Sequence, residues 1–267
     1  MRSLLSIPLS SLKFIEAPIV DAEDSYGEVR RVFRESGARI VAVEGARGEF
    51  LGVIYRSSVL RVTSRKTQAR ARDLASDPPA TLTPSNTLLQ AVNLMLKLDE
   101  WYLPVVSEGL LEGFVGLEHA IRVLLDTGVL RGLSVGDSMT RDPIAVKPSD
   151  PLSKVWSIMV EKRYAGLPVV ADDGRLAGIV TQYDLIRKGY TRLELESSGG
   201  PHTVKVLDAM NPSVEYTFSE KPLEVVAEMI LSRGYGRIPV VDSSERKILV
   251  GVVDREDVVK AALRRWR

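Results

Sequence analysis

The chain has 267 residues, with 36 basic and 35 acidic side chains and a formal net charge of +1. That balance gives no global field to favour nucleic acid or an anionic membrane. The absence of cysteine excludes disulfides, zinc–thiolate sites and thiol catalysis. The two histidines, His119 and His202, are too few for a multi-histidine metal site, so no metal and no required cofactor is expected.

The first 14 residues carry one arginine and a weakly apolar stretch. They read as an ordinary N-terminal strand or helix, not a secretory signal. No apolar run approaches the roughly 20 residues that a bilayer span needs. The protein is expected to be cytoplasmic, with no membrane partner.

From about residue 12 one pattern then recurs four times. It is a short strand, an amphipathic helix, two strands joined by a turn, and a second helix. The first copy has Tyr26, Val29 and Phe33 on its helix stripe, with Arg30 and Arg34 at two stripe positions. The strand 40–43, Gly52-Val53-Ile54 and Val59-Leu60 follow. The second copy places Leu88, Ala91, Val92, Met95 and Leu96 at i, i+3, i+4, i+7 and i+8, the stripe of a helix packing on a core. Pro104-Val105-Val106, Gly113-Phe114-Val115 and Ala120-Ile121 complete it. The third repeats the stripe at Leu152, Val155, Trp156, Met159 and Val160. A hairpin follows from Pro168-Val169-Val170 through Asp173-Gly174, whose turn chemistry suits a tight connection, to Gly178-Ile179-Val180. The fourth has Leu223, Val226, Ala227, Ile230 and Leu231, then Pro239-Val240-Val241 and Gly251-Val252-Val253.

A unit of about 55 residues is marginal for a lone core, so the copies are expected to pair. Residues 126–136 separate copies two and three. Residues 189–203, containing Ser197-Ser198-Gly199-Gly200-Pro201, read as a flexible insertion.

Three stretches carry a family resemblance: Asp137-Ser138-Met139-Thr140 with Pro143, Gly166-Leu167-Pro168-Val169-Val170, and Gly178 through Asp184. Asp208-Ala209-Met210, Ile238-Pro239-Val240-Val241 and Gly251 through Asp257 echo them. Each unit resembles a CBS domain, named after cystathionine β-synthase. The whole resembles archaeal stand-alone CBS proteins and the γ subunit of AMP-activated protein kinase. The resemblance implies an α/β fold of four β-α-β-β-α repeats, at 12–70, 73–130, 137–190 and 205–267. These would pair into two Bateman modules, 12–130 and 137–267, forming a monomeric disk or a homodimer. It also implies an adenosine-containing ligand in the cleft of a module, and a regulatory role in energy sensing that a protein partner reads.

Thr181 and Asp184 occupy the family's ribose and phosphate positions. A carboxylate accepts hydrogen bonds from both hydroxyls of a ribose diol, and a threonine at a helix start, beside free N–H groups, meets phosphate. The same pair also reads as an N-cap with an acid one turn in. The resemblance gives Arg237 the phosphate of the nucleotide anchored by Asp184, with a fork that suits phosphate oxygens. It puts the base against Ile144, Ala165, Gly166 and Pro168, which equally read as core and turn residues. Asp257 fills the ribose position of copy four, but Asp254 stands in the threonine position, where its charge opposes phosphate. Copy four also has Glu215 where copy three has Ile144. Copies one and two, with Tyr55/Ser58 and Gly116/His119, lack the carboxylate.

The basic run 61–72, with Arg65, Lys66, Arg70 and Arg72, reads as a solvated helix or connector, and no nucleic-acid partner is expected. The tail Arg264-Arg265-Trp266-Arg267 ends a helix. No nucleophile–base–acid set emerges, so the chain is read as a binder of AMP, ADP or ATP and not an enzyme. Alternatives are an S-adenosylmethionine binder, a ligand-independent scaffold, and a nucleic-acid binder using the basic run.

Overall fold

The computed structural model describes residues 5–62, 68–191 and 204–265. Most of the glycine/serine-rich insertion, His202, Arg65, Lys66 and Trp266 therefore lie outside the described residues.

Repeat one is β1 (Ile19–Asp21), α1 (Tyr26–Ser36), β2 (Ile40–Glu44), β3 (Phe50–Tyr55) and α2 (Arg56–Leu60). After the short α3 (Ala71–Leu74), repeat two supplies α4 (Leu88–Leu98), β4 (Tyr102–Ser107), β5 (Leu110–Gly116) and α5 (Leu117–Asp126). Next come α6 (Val135–Ser138), β6 (Thr140–Arg141), and repeat three with α7 (Leu152–Glu161), β7 (Gly166–Val170), β8 (Leu176–Thr181) and α8 (Gln182–Arg187). The short α9 (Val206–Ala209) precedes repeat four, with β9 (Thr217–Phe218), α10 (Leu223–Arg233), β10 (Arg237–Val241), β11 (Leu249–Asp254) and α11 (Arg255–Arg265). The expected first strand forms in repeats one and four. In repeats two and three it shrinks to single parallel bridges, Leu82 to Val105 and Val146 to Val169.

Local chemistry sets the helix ends. Ser25 caps α1 by accepting the Glu28 N–H, and Gly37 closes it in the left-handed region at φ 64°. Thr87 and Gln90 form a reciprocal capping box on α4. The expected stripes are the buried faces: Leu88, Ala91, Val92 and Met95 in α4, Leu152, Val155 and Met159 in α7, and Leu223, Val226, Ala227 and Ile230 in α10. Arg34 is exposed, as its charge requires.

The chain forms two compact units that cut across sequence order. The first holds the described residues of 1–16, 78–143 and 215–267, so repeats two and four share it. In it α5 packs on α10 and α11, around a core that includes Leu88, Met95, Leu117, Ile121, Ile230 and Val259. Residues 126–136 are no loose connector, because Val129, Leu130 and Val135 are buried in that core. The second unit holds the described residues of 17–77 and 144–214, with repeats one and three. There α8 packs on α1 and α2, over Phe33, Ile54, Leu152, Val180 and Leu185.

The segment entering each repeat adds to the second hairpin strand of its sequence neighbour. Ile15 bridges Phe114, Ser76 bridges Val53, and Asn211 bridges Ile179. Thr140 pairs with Val252. This explains the recurring glycine. A Cβ on Gly52 would lie 2.8 Å from Ser76 O, on Gly113 2.7 Å from Phe14 Cβ, on Gly178 2.5 Å from Asn211 O and on Gly251 2.5 Å from Met139 Sδ. Only a residue without a side chain admits the incoming segment.

Candidate functional site

In repeat three, the hairpin delivers Thr181 to the start of α8. Thr181 Oγ1 accepts the Asp184 N–H at 3.1 Å. Asp184 Oδ2 in turn accepts from the Thr181 N–H at 3.1 Å and from the Thr181 hydroxyl at 2.5 Å. The pair is thus a capping box, the local role its spacing allows. Asp184 is nonetheless only 8% exposed, and both of its hydrogen bonds fall on Oδ2. Among the described residues Oδ1 has none.

Two of the expected base-side residues, Ala165 and Gly166, lie beside this pair. Gly166 stands opposite Thr181 across the hairpin, and a Cβ there would be 3.1 Å from Thr181 Cγ2. The Ala165 carbonyl accepts the Gln182 N–H at 2.9 Å, and Gln182 Nε2 donates to Tyr164 O at 3.0 Å. The Pro168 carbonyl accepts the Val146 N–H at 3.0 Å. Ile144, two residues before Val146, is 39% exposed. Six of the eight expected residues therefore belong to one repeat in the second unit: Ile144, Ala165, Gly166, Pro168, Thr181 and Asp184. The arrangement offers a carboxylate, a hydroxyl and backbone at a helix start. It suits hydrogen bonding to hydroxyls and close approach of a flat group.

Arg237 and Asp257 belong to repeat four in the first unit. Arg237 opens β10 and stands opposite Asp254, the last residue of β11. Arg237 Nη2 lies 3.2 Å from Asp254 Oδ2, with 17% and 13% of the two side chains exposed. Asp254 Oδ1 accepts the N–H groups of Glu256 at 3.0 Å and Asp257 at 3.2 Å. Asp257 Oδ2 accepts the Asp254 N–H at 3.0 Å, so two acids here make the box that Thr181 and Asp184 make in repeat three. Burial first, and the Asp254 charge second, push the Asp257 carboxyl up to about 7. Glu256 is raised chiefly by burial, and its Oε2 holds Lys260 at 2.5 Å. At the position matching Ile144, Glu215 accepts from the Tyr235 hydroxyl at 2.9 Å. Burial and that hydrogen bond raise the Tyr235 pKa.

In repeat two, His119 replaces the acid without becoming a ligand. Its Nδ1 is 3.1 Å from the Gly116 N–H and its Nε2 is 3.0 Å from Lys13 O. The Gly116 N–H requires an acceptor at Nδ1, so Nε2 carries the proton. In repeat one, Tyr55 stands at the cap of α2, where its side chain makes no capping hydrogen bond.

Sequence reasoning missed what Asp254 does to Arg237. Two oppositely charged residues on different strands gave no register by themselves. It also missed the arginines that follow the cap in repeats one and four, Arg56 and Arg255, which are 7% and 2% exposed. Arg56 donates to Ala38 O at 3.0 Å and lies over the Tyr183 ring at 5.4 Å. Among the described residues no group of three or more His, Cys, Asp or Glu is placed to hold a metal ion, and no helix is long and apolar enough to cross a membrane.

The CBS domain family model matches residues 71–126, 135–190 and 206–264. The first repeat is outside these matches and keeps the same order of elements. CBSX2, a chloroplastic CBS domain-containing protein of Arabidopsis thaliana, is 33% identical over 155 residues, 49% of this chain and 64% of that protein. The match thus spans less than two thirds of that relative's length. A crystal structure of CBSX2 in complex with AMP covers 51% of this chain and 100% of that one, at 36% identity and a TM-score of 0.44. Protein MJ1225 of Methanocaldococcus jannaschii is 27% identical over 195 residues, 71% of this chain and 68% of that protein. Its crystal structure superimposes with a TM-score of 0.81 at 21% identity, over 94% of this chain and 96% of that one. That protein has been put forward as an archaeal homologue of g-AMPK.

Proposed function

Because the chain belongs to the CBS domain family, we propose that it is a regulatory ligand-binding protein for an adenosine-containing nucleotide, AMP, ADP or ATP. The observation that carries this reading is the Thr181–Asp184 pair. A carboxylate 8% exposed sits at a helix start, beside the Ala165–Gly166 backbone, with Oδ1 making no hydrogen bond among the described residues. Asp184 takes the ribose diol through Oδ1 while Oδ2 keeps the cap. Ile144, Ala165, Gly166 and Pro168 take the base. Thr181 is the phosphate position of repeat three, Arg237 a phosphate position of repeat four, and Asp257 the weaker ribose position there. AMP is the first ligand to test because CBSX2, a sequence relative, has been crystallised with it.

Regulation requires a ligand that binds two conformations unequally, and the reader of that difference is a protein partner. The reading places the protein in the cytoplasm, as a single chain or a homodimer, with no catalytic step.

Calorimetric titration with AMP, ATP and S-adenosylmethionine tests this reading. Asp184→Ala and Asp184→Asn should both weaken AMP by about tenfold or more, as expected when a charged hydrogen-bond acceptor is lost. The asparagine variant keeps an acceptor for the Thr181 N–H, so its loss is not a loss of the cap. Unchanged AMP affinity in both variants removes the ribose anchor. Binding of S-adenosylmethionine alone replaces the nucleotide with a ligand lacking phosphate.

A further inference from the structure

Repeats three and four differ in one cross-strand pair. Opposite the cap residue, repeat three has Gly166 facing Thr181 and repeat four has Arg237 facing Asp254. The first pair is small and uncharged. The second puts a guanidinium and a carboxylate 3.2 Å apart, with 17% and 13% of the side chains exposed. Asp254 is held from two sides, Oδ2 by Arg237 and Oδ1 by the first N–H groups of α11. A guanidinium that suits phosphate oxygens suits a carboxylate equally well. Any phosphate that reaches Arg237 therefore meets an anion already in place, on the same chain and at no cost in translational freedom.

We infer that Asp254 is a specificity-determining residue: an internal carboxylate that occupies Arg237 and holds down the affinity for phosphate-bearing nucleotides relative to the bare nucleoside. The inference rests on the proposed nucleotide-binding function. Phosphate must displace Asp254 from Arg237 and then lie near a carboxylate that has lost its counter-ion. The neighbouring cation does not relieve this, because Lys260 is engaged by Glu256 at 2.5 Å. Adenosine carries no phosphate and meets no such competition. Repeat three has no acid at the cap position, so the restriction is written into repeat four alone.

Wild type, Asp254→Asn and the double variant Asp254→Asn/Arg237→Gln, titrated with AMP and with adenosine, test this. Asparagine is a good N-cap and keeps the acceptor for α11. Asp254→Asn should bind AMP about tenfold more tightly, the scale of one charge-assisted contact, with adenosine changed by less than about twofold. The double variant should lose the gain. An AMP-to-adenosine ratio unchanged in Asp254→Asn overturns the inference, as does a gain that survives loss of Arg237. A parallel titration of Asp184→Asn reads the proposed function separately. AMP affinity indifferent to Asp184 sinks the ribose anchor, while the AMP-to-adenosine ratio of Asp254→Asn still decides the role of Asp254. Absence of AMP binding by every variant overturns both.

Discussion

Arg255 Nε of repeat four lies 2.8 Å from Glu118 Oε1 of repeat two, and 2% of the arginine side chain is exposed. The guanidinium also sits 5.1 Å from the Trp101 ring centroid, and its Nη2 donates to Gly234 O at 3.3 Å. Glu118 Oε1 accepts from the Tyr102 hydroxyl as well, at 2.5 Å. In the other unit Arg56 holds the matching place in repeat one, and Tyr183 stands where Glu118 does. Each unit thus buries one arginine against the second helix of the repeat that shares its core, once by charge and once by a ring face. Arg255→Met alone leaves a partly buried carboxylate, and Glu118→Leu alone leaves a buried guanidinium. Each should cost about 3 kcal/mol, while the double variant should recover most of the loss. Urea unfolding of the two singles and the double decides this. A double variant as unstable as the two singles combined would show that the pair acts independently.

Gly178 is closed to any side chain, since a Cβ there would sit 2.5 Å from the backbone oxygen of Asn211. Gly178→Ala must push away the segment that enters repeat four, and should cost about 1–3 kcal/mol, the scale of overpacking. Gly27 is the control. It lies inside α1, and its nearest prospective neighbour is Ser25 Oγ at 3.6 Å. Gly27→Ala should be neutral or stabilise by up to about 1 kcal/mol. Thermal unfolding that ranks the two alanine variants alike would contradict the close-approach account.

Those glycines also mark how far the sequence could be read. The stripes at Leu88 and Leu223 told that a helix packs on a core, because periodicity is local. They could not tell on whose core, so helix packing of repeat two on four and of one on three was not foreseen. The glycine recurrence was visible in the residues, but its cause was not, since the partner backbone arrives from a segment preceding a different repeat. At the candidate site, Thr181 and Asp184 were legible as both a cap and a ribose anchor. Spacing cannot separate the two, because one helical turn serves both. Arg237 and Asp254 each stood out by charge, and only the hairpin register made them a pair.

Gly166 and Thr181 are fitted to each other. A methyl at residue 166 would meet Thr181 Cγ2 at 3.1 Å, close enough to disturb the hydroxyl that caps α8. Gly166→Ala should therefore lower the melting temperature, by the equivalent of about 1 kcal/mol for an impaired cap. Thr181→Ser removes the offending methyl and keeps the hydroxyl, so Gly166→Ala/Thr181→Ser should melt close to wild type. If the serine gives no rescue, the Thr181 methyl is not what a side chain at residue 166 strains, since the next neighbour, the Val180 carbonyl at 3.5 Å, is at ordinary contact distance.

Asp257 makes stability depend on pH in an unusual direction for a carboxylate. Its folded-state value is pushed up to about 7 from an ordinary 3.8. Burial is the main cause and Asp254 the second; the Asp254 N–H, Arg237 and Lys260 oppose them. Between those two values the folded protein binds the proton and the unfolded chain does not. Stability then falls as pH rises through that window, and the penalty is complete above about 7. Asp257→Asn keeps an acceptor for the Asp254 N–H and cannot ionise, so it should gain little near pH 4 and gain most near about pH 8. Urea midpoints of the two proteins across this range provide the comparison. Curves that run parallel would mean that Asp257 ionises as freely folded as unfolded. Curves that converge at high pH instead would mean that Arg237 and Lys260 outweigh burial and hold the carboxylate charged.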